Sequence, residues 1–113
     1  YNWVVQNIEG FRLGHKTDIG SFTYINAKFG VVIADNVQIG SHCSIYSIST
    51  IDDTSGQIVF ETNSKLGSHS TVLPGVTIGE NSIIGAHSLV KTNIPPNVIA
   101  YGVPAKVIKL LNE

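Results

Sequence analysis

Between residues 66 and 90 the chain reads LGSHSTVLPGVTIGENSIIGAHSLV, and the aliphatic residues Leu66, Val72, Ile78, Ile84 and Val90 recur every six positions. Gly67, Gly79 and Gly85 directly follow three of them, and Ser70, Val76, Ser82 and Ser88 take the fourth place after the aliphatic. A period of six fits neither the helical turn of about 3.6 residues nor the two-residue alternation of a strand. It is the period of a solenoid in which each six-residue unit supplies one short strand and one corner. Three units, eighteen residues, close one triangular coil, so residues eighteen apart stack along an edge of a prism. The inward aliphatics then form a column, each buried Ile or Val contributing roughly 1.5–3 kcal/mol.

The same pattern organises the rest of the chain. Hexads begin at Leu13, Ile19 and Ile25, shift by two residues, and resume at Ile33, Ile39 and Ile45, with Ile51 opening IDDTSG. Ile51 to Leu66 is fifteen residues, three more than two units. Asp52, Asp53, Ser55 and Gly56 are turn formers, so an external loop is expected at 51–57. Residues 1–12 show no hexad; Trp3, Val4, Val5, Ile8 and Phe11 are expected to form a lead-in strand over the open end of the solenoid, which repeat architectures need. After Val90 the double proline Pro95-Pro96 breaks the repeat, and 98–103 reads as extended. Pro104 suits the first turn of a helix, and 105–111 would then be a short helix with Val107, Ile108 and Leu111 on its apolar face. The expectation is one all-β domain over 1–113: a cap at 1–12, coils over 13–92, and a C-terminal strand and helix over 93–113.

Composition narrows the function classes. Net charge is −1 with no basic run, so nucleic acid is not an expected partner. No apolar run approaches the ~20 residues of a membrane span, and no signal peptide is seen. The single cysteine, Cys43, sits at a small inward position, which indicates core packing; without a disulfide framework the expected location is the reducing cytoplasm. Charged residues make up only 13%, which suggests that part of the surface is covered by copies of the same chain. The alternative is a solenoid surface rich in Ser, Thr, Asn and Gly.

The ending LPGVTIGENSIIGAHSLV, followed by IPPN and GVPAKVIK, resembles that of the hexapeptide-repeat acyltransferases, in the branch of the galactoside, maltose, xenobiotic and serine O-acetyltransferases. The resemblance covers about 13–109. It implies a single-stranded left-handed parallel β-helix, a homotrimer, and acetyl-CoA as acyl donor lying along a corner groove between subunits. Ser68 and Ala86 match pantetheine-contacting positions; being eighteen apart, they are also expected to stack on one corner. Lys106 and Lys109 match basic residues that meet the CoA phosphates. Asn26, in TYIN, matches an asparagine that contacts the acceptor or polarises the thioester carbonyl. The implied acceptor is a sugar or a nucleotide-linked sugar, amino sugars included, in surface polysaccharide biosynthesis.

The general base departs from the pattern. The position of the histidine base of sugar O-acetyltransferases is Thr50 here, and that of the serine acetyltransferase base is about Ala27. Of the four histidines, corner counting puts His69 and His87 beside Ser68 and Ala86, and places His42 on another corner in a column with Asn63 and Asn81. His69 and His42 are the candidates for the base, ahead of His87 and His15, with Asp52 and Asp53 as weaker ones. Because an amine needs less help from a base than an alcohol, the missing histidine shifts weight towards an amino sugar. Two other classes stay open. One is an inactive scaffold; the other is a metal-dependent hydratase like the γ-class carbonic anhydrases, although histidines spaced 27, 27 and 18 apart give no close pair for zinc, and no metal is expected.

Overall fold

The computed structural model describes residues 2–111. Its strands stack in parallel into three faces. The first face runs Val4–Gln6, Tyr24–Asn26, Ser44–Tyr46, Thr71–Val72 and Leu89–Val90. The second holds Phe11–Leu13, Val31–Ile33, Ile58–Phe60 and Thr77–Ile78. The third holds Asp18–Ile19, Gln38–Ile39, Lys65–Leu66, Ile83–Ile84 and Val98–Gly102. The chain visits the faces in that order on every turn, so each coil is a triangle and every face is a short parallel sheet. The lead-in residues are themselves a rung, since Val4–Gln6 pairs in register with Tyr24–Asn26.

The core is the predicted column. Ile25, Ile45, Val72 and Val90 point inward from the first face, Ile33, Phe60 and Ile78 from the second, and Ile39, Leu66 and Ile84 from the third, all buried. Buried hydroxyls join successive coils: Thr23 Oγ1 donates to the Gly40 carbonyl at 2.9 Å, Ser70 Oγ to the Gly85 carbonyl at 3.2 Å, and Ser82 Oγ to the Pro95 carbonyl at 2.6 Å, while Ser88 Oγ donates within its own coil to the Gly85 carbonyl at 2.7 Å. Ser70, Ser82 and Ser88 are therefore compatible with burial because each hydroxyl has a carbonyl to meet, whereas Ser64 Oγ, at the equivalent place after Phe60, is buried without a partner.

Coil length is uneven, and the unevenness has one address. Between inward residues of the third and first faces the step is always six, as in Ile19 to Ile25, Ile39 to Ile45 and Leu66 to Val72. From the first face to the second it is eight for Ile25 to Ile33, fifteen for Ile45 to Phe60, and six for Val72 to Ile78. All departures from the hexad thus fall on one edge of the prism. Ile51 does not open an inward unit; it is 96% exposed at the tip of a hairpin in which Ile48–Ser49 pairs antiparallel with Thr54–Ser55, closed by Gly56 N–H donating to the Ser47 carbonyl at 2.9 Å. The loop therefore begins before residue 51, and Phe60, not Ile51, carries the column onward.

The expected C-terminal helix is absent. Ala105–Leu110 is a strand that folds back antiparallel on Val98–Gly102, pairing Val98 with Leu110, Ile99 with Lys109, Tyr101 with Lys106 and Gly102 with Ala105. Pro104 lies in the turn, preceded by Gly102 at a φ of 118°, a left-handed conformation that glycine adopts without steric cost. A helix of seven residues is too short to hold without extensive packing. The last rung, by contrast, presents a free edge of backbone donors and acceptors, and β-branched Val107 and Ile108 fit a pleated strand better than a helix. Edge pairing wins. No helix among the described residues is long and apolar enough to cross a membrane.

Candidate functional site

Two edges of the first face carry the residues of interest. At the edge where the third face turns into the first, the corner sequences are Gly20-Ser21-Phe22, Gly40-Ser41-His42, Gly67-Ser68-His69 and Gly85-Ala86-His87. Ser68 and Ala86 do stack: His87 N–H donates to the Ser68 carbonyl at 2.9 Å, and a Cβ on Gly67 would sit 2.5 Å from the Ala86 nitrogen. Only glycine lets the two coils approach this closely at that point.

The next residue of each corner is left-handed, with φ of 65° at Phe22, 59° at His42, 61° at His69 and 60° at His87. Their rings form a ladder: Phe22 to His42 at 5.1 Å between centroids, His42 to His69 at 4.7 Å, and His69 to His87 at 4.8 Å. His42 therefore belongs to the column of His69 and His87, not to that of Asn63 and Asn81. The count of eighteen misplaced it because the hairpin inserts nine residues between Ser44 and its partner Thr71. The asparagines make their own ladder on the edge between the second and third faces, with Asn63 Nδ2 donating to Asn81 Oδ1 and Asn81 Nδ2 to Asn97 Oδ1, both at 2.8 Å. The imidazoles of the histidine ladder stack face to face, with interplanar angles of 3° and 14°, so their nitrogens run along the edge and do not converge; among the described residues no group of three or more metal-ligating side chains could hold an ion.

The C-terminal hairpin closes the end of this edge. Ala100 accepts from Gly85 N–H at 2.9 Å, Gly102 N–H donates to Ser88 Oγ at 3.1 Å, and a Cβ on Gly85 would lie 2.9 Å from that of Tyr101. Lys106 pairs across from Tyr101, one strand beyond the Gly85-Ala86 corner, while Lys109 lies further along, across from Ile99. Both lysines are exposed.

The other edge, where all the length variation lies, holds a cavity of about 440 Å³ lined by Gln6, Tyr24, Asn26, Tyr46, the hairpin residues Ile48, Ser49 and Thr50, and Ile51. Asn26 and Thr50 thus share one pocket. Gln6, Asn26 and Tyr46 are register partners on three successive rungs, all pointing outward. The Tyr24 and Tyr46 rings approach to 5.7 Å at 52°. Gln6, Tyr24 and Tyr46 were not foreseen from the motif; the available signal was polar and aromatic side chains at outward places flanking Ile25 and Ile45. Among the described residues, no charged side chain lines this cavity. Ala27 is fully buried and cannot exchange protons with a ligand. On the hairpin, a hydrogen bond from Thr54 and another from Ser49 hold the Asp52 carboxyl below its ordinary range, which makes it a poor proton acceptor. Burial raises the Cys43 thiol, which keeps it neutral and inert, as core packing requires.

The two edges do not meet within one chain. His42 and Tyr46 are four residues apart and separated by the strand Ser44–Tyr46, roughly 10–13 Å at the rise of an extended chain. His69 and Asn26 therefore lie at opposite ends of the same face.

Comparison with known proteins gives this arrangement relatives. Residues 58–92 match the family described as bacterial transferase hexapeptide (six repeats). A galactoside O-acetyltransferase of Escherichia coli (strain K12) is 37% identical over 118 aligned positions, covering 91% of this chain and 58% of the relative. A galactoside O-acetyltransferase of Lactococcus lactis subsp. lactis (strain IL1403) is 33% identical over 115, covering 88% and 56%. Among solved structures, a galactoside acetyltransferase in complex with coenzyme A superposes with a TM-score of 0.90 at 33% identity, over 97% of this chain and 60% of that one. The solenoid is accordingly a left-handed parallel β-helix. The chain spans somewhat under three fifths of the length of the curated relatives it matches.

Proposed function

The chain is a member of the hexapeptide-repeat acyltransferases, and on that premise we propose that it transfers the acetyl group of acetyl-CoA to a sugar or nucleotide-linked sugar, in the making of a surface polysaccharide. The observation that carries this reading is the division of the first face into a narrow corner of small residues at one edge and an uncharged polar pocket at the other. A pantetheine arm is thin and needs backbone amides more than side chains, and the Ser68–Ala86 corner offers that. Lys106, one strand beyond the corner, and Lys109, further along the hairpin, meet the CoA phosphates as point charges. The pocket of Tyr24, Asn26, Tyr46 and Thr50 receives the acceptor: two aromatic faces suit the apolar side of a sugar ring, and amides and hydroxyls suit its hydroxyls.

In the reaction the acceptor's oxygen or nitrogen attacks the thioester carbonyl carbon. A C–O or C–N bond forms, the tetrahedral oxyanion is held by hydrogen-bond donors, the C–S bond breaks, and the CoA thiol leaves with the proton the acceptor has lost. For an alcohol the proton passes through a base, and of the exposed imidazoles His69 and His42 are the candidates, ahead of His87 and His15. Since these two lie at the opposite edge of the face from Asn26, His42 on the next rung and His69 on the one after, they serve the pocket of a neighbouring copy. A cyclic homotrimer provides this, because in head-to-tail packing one edge of each copy meets a different edge of the next. An amine acceptor, once deprotonated, needs no such base.

Calorimetric titration with acetyl-CoA, followed by thiol release with a panel of glycosides and amino sugars, tests the proposal. Binding with acceptor-dependent thiol release is expected; absence of binding at millimolar acetyl-CoA overturns it, and binding without release from any acceptor leaves the scaffold reading in its place.

A further inference from the structure

Asn26 sits in a hydrogen-bond network whose direction is fixed by the backbone. Lys28 N–H lies 3.1 Å from one terminal atom of the Asn26 amide. A backbone N–H only donates, so that atom is Oδ1, and the assignment does not depend on the usual ambiguity between amide oxygen and nitrogen. Asn7 Nδ2 donates to the same oxygen at 3.2 Å. Both lone pairs of Oδ1 are thereby used. The other terminal atom, Nδ2, then faces Gln6 and Tyr24, at 3.5 Å from Gln6 Oε1 and 3.3 Å from Tyr24 Oη. Opposite a donor, Gln6 must present its oxygen, and Tyr24 Oη donates its hydrogen to that same Oε1. One backbone group thus sets the polarity of four side chains.

We infer that Tyr24 and Gln6 are positioning residues that hold Asn26 as a hydrogen-bond donor and nothing else, aimed at the thioester carbonyl oxygen and not at an acceptor hydroxyl hydrogen or ammonium. The inference rests on the acetyl-transfer reading and sharpens it. With Oδ1 saturated, Asn26 cannot accept from a bound ligand. Its Nδ2 hydrogens have only the long contacts to Gln6 and Tyr24, so they are available to an oxygen entering the pocket. An oxyanion gains most from such a donor, because charge develops on it in the transition state. Tyr24 acts through Asn26: with its hydrogen committed to Gln6, its oxygen presents lone pairs to Asn26 Nδ2 and keeps that nitrogen from rotating away.

Two measurements test this. In the ¹⁵N-labelled full chain, the side-chain amide pair of Asn26 is identified by its loss in Asn26→Ala. Tyr24→Phe and Gln6→Leu are expected to move that pair, and Tyr46→Phe, which lines the same pocket outside the network, to leave it in place. In acetyl transfer, Tyr24→Phe is expected to lower kcat roughly threefold to tenfold, the worth of one hydrogen bond, with unchanged acetyl-CoA affinity and Tm, and to cost nothing further in an Asn26→Ala background. An Asn26 amide pair that ignores both substitutions overturns the network. A Tyr24→Phe penalty that is the same with and without Asn26 shows that Tyr24 acts on its own and overturns the positioning role. If the wild-type chain releases no thiol with any acceptor, the acetyl-transfer reading fails and with it the role towards a thioester, while the amide measurement still decides the network.

Discussion

The two edges of the first face are built from the same strands but by different rules. At the histidine edge every coil takes the same number of residues, the corner is Gly-Ser or Gly-Ala followed by a left-handed residue, and successive corners repeat so closely that side chains stack into a ladder. At the Asn26 edge the coils differ: two early coils carry two extra residues each, the next carries a nine-residue excursion with the hairpin, and the later one carries none. Repetition makes an unbroken row of small corner residues flanked by stacked rings along the prism, which suits a long, thin ligand. Irregularity makes a pocket with walls, which suits a ligand that varies. A solenoid tolerates this at a corner because extra residues there leave the strand registers and the inward column intact, and loop length costs little in free energy.

That contrast can be broken experimentally, beginning with the largest effect. Phe60 is the inward residue that resumes the column after the hairpin and is fully buried. Phe60→Ala is expected to cost about 3–5 kcal/mol in chemical denaturation, whereas replacing residues 48–55 with a two-residue linker is expected to leave the midpoint almost unchanged while removing the pocket. A hairpin deletion as damaging as Phe60→Ala would show that the two edges are not separable. Asn26→Ala is expected to lower kcat by roughly 10²–10³, the worth of one oxyanion donor, without altering acetyl-CoA affinity. For an alcohol acceptor, inactive Asn26→Ala and a doubly substituted His42→Ala, His69→Ala chain, dissociated and reassembled in equal amounts, are expected to regain about a quarter of wild-type activity by random pairing of complementary edges; no recovery would place all the chemistry in one chain. Lys106→Ala and Lys109→Ala are each expected to weaken acetyl-CoA roughly threefold to tenfold at low salt, and less at high salt. The smallest effect concerns the hairpin. Because the Asp52 carboxyl is lowered in the folded chain, its hydrogen bonds are fully present above the ordinary carboxylate range and are lost as pH falls through its depressed value. A lower amide protection factor at Thr54 on acidification, taken relative to the intrinsic exchange rate at each pH and absent in Asp52→Asn, is the expected sign.

How far the sequence could be read follows the same division. Leu66, Val72, Ile78, Ile84 and Val90 announce the column because a six-residue spacing has one structural meaning, and Ser68 and Ala86 stack because nothing interrupts the chain between them. His42 was misassigned for the opposite reason: an insertion preserves stacking in space while destroying the count along the chain. Ile51 imitates an inward residue by spacing alone, and only the closure of Ser47 onto Gly56 shows that it stands outside. The C-terminal segment has a helix-like apolar stripe, yet the unpaired edge of Val98–Gly102 is a tertiary fact that no local pattern records. Asn26 was visible as a polar residue where glycine is commoner, but Gln6 and Tyr24 become partners only when rungs twenty residues apart come into register.

In the proposed function the regular edge binds acetyl-CoA and the irregular edge receives the acceptor. Calorimetry with acetyl-CoA on three chains separates the two. The wild type and Asn26→Ala are expected to bind with the same affinity, and Ala86→Tyr, which fills the exposed corner without touching the column, to lose at least tenfold, the equivalent of about 1.4 kcal/mol. Equal binding by the wild type and Ala86→Tyr, or no binding by the wild type at millimolar concentration, would show that the Ser68–Ala86 corner is not the acetyl-CoA site.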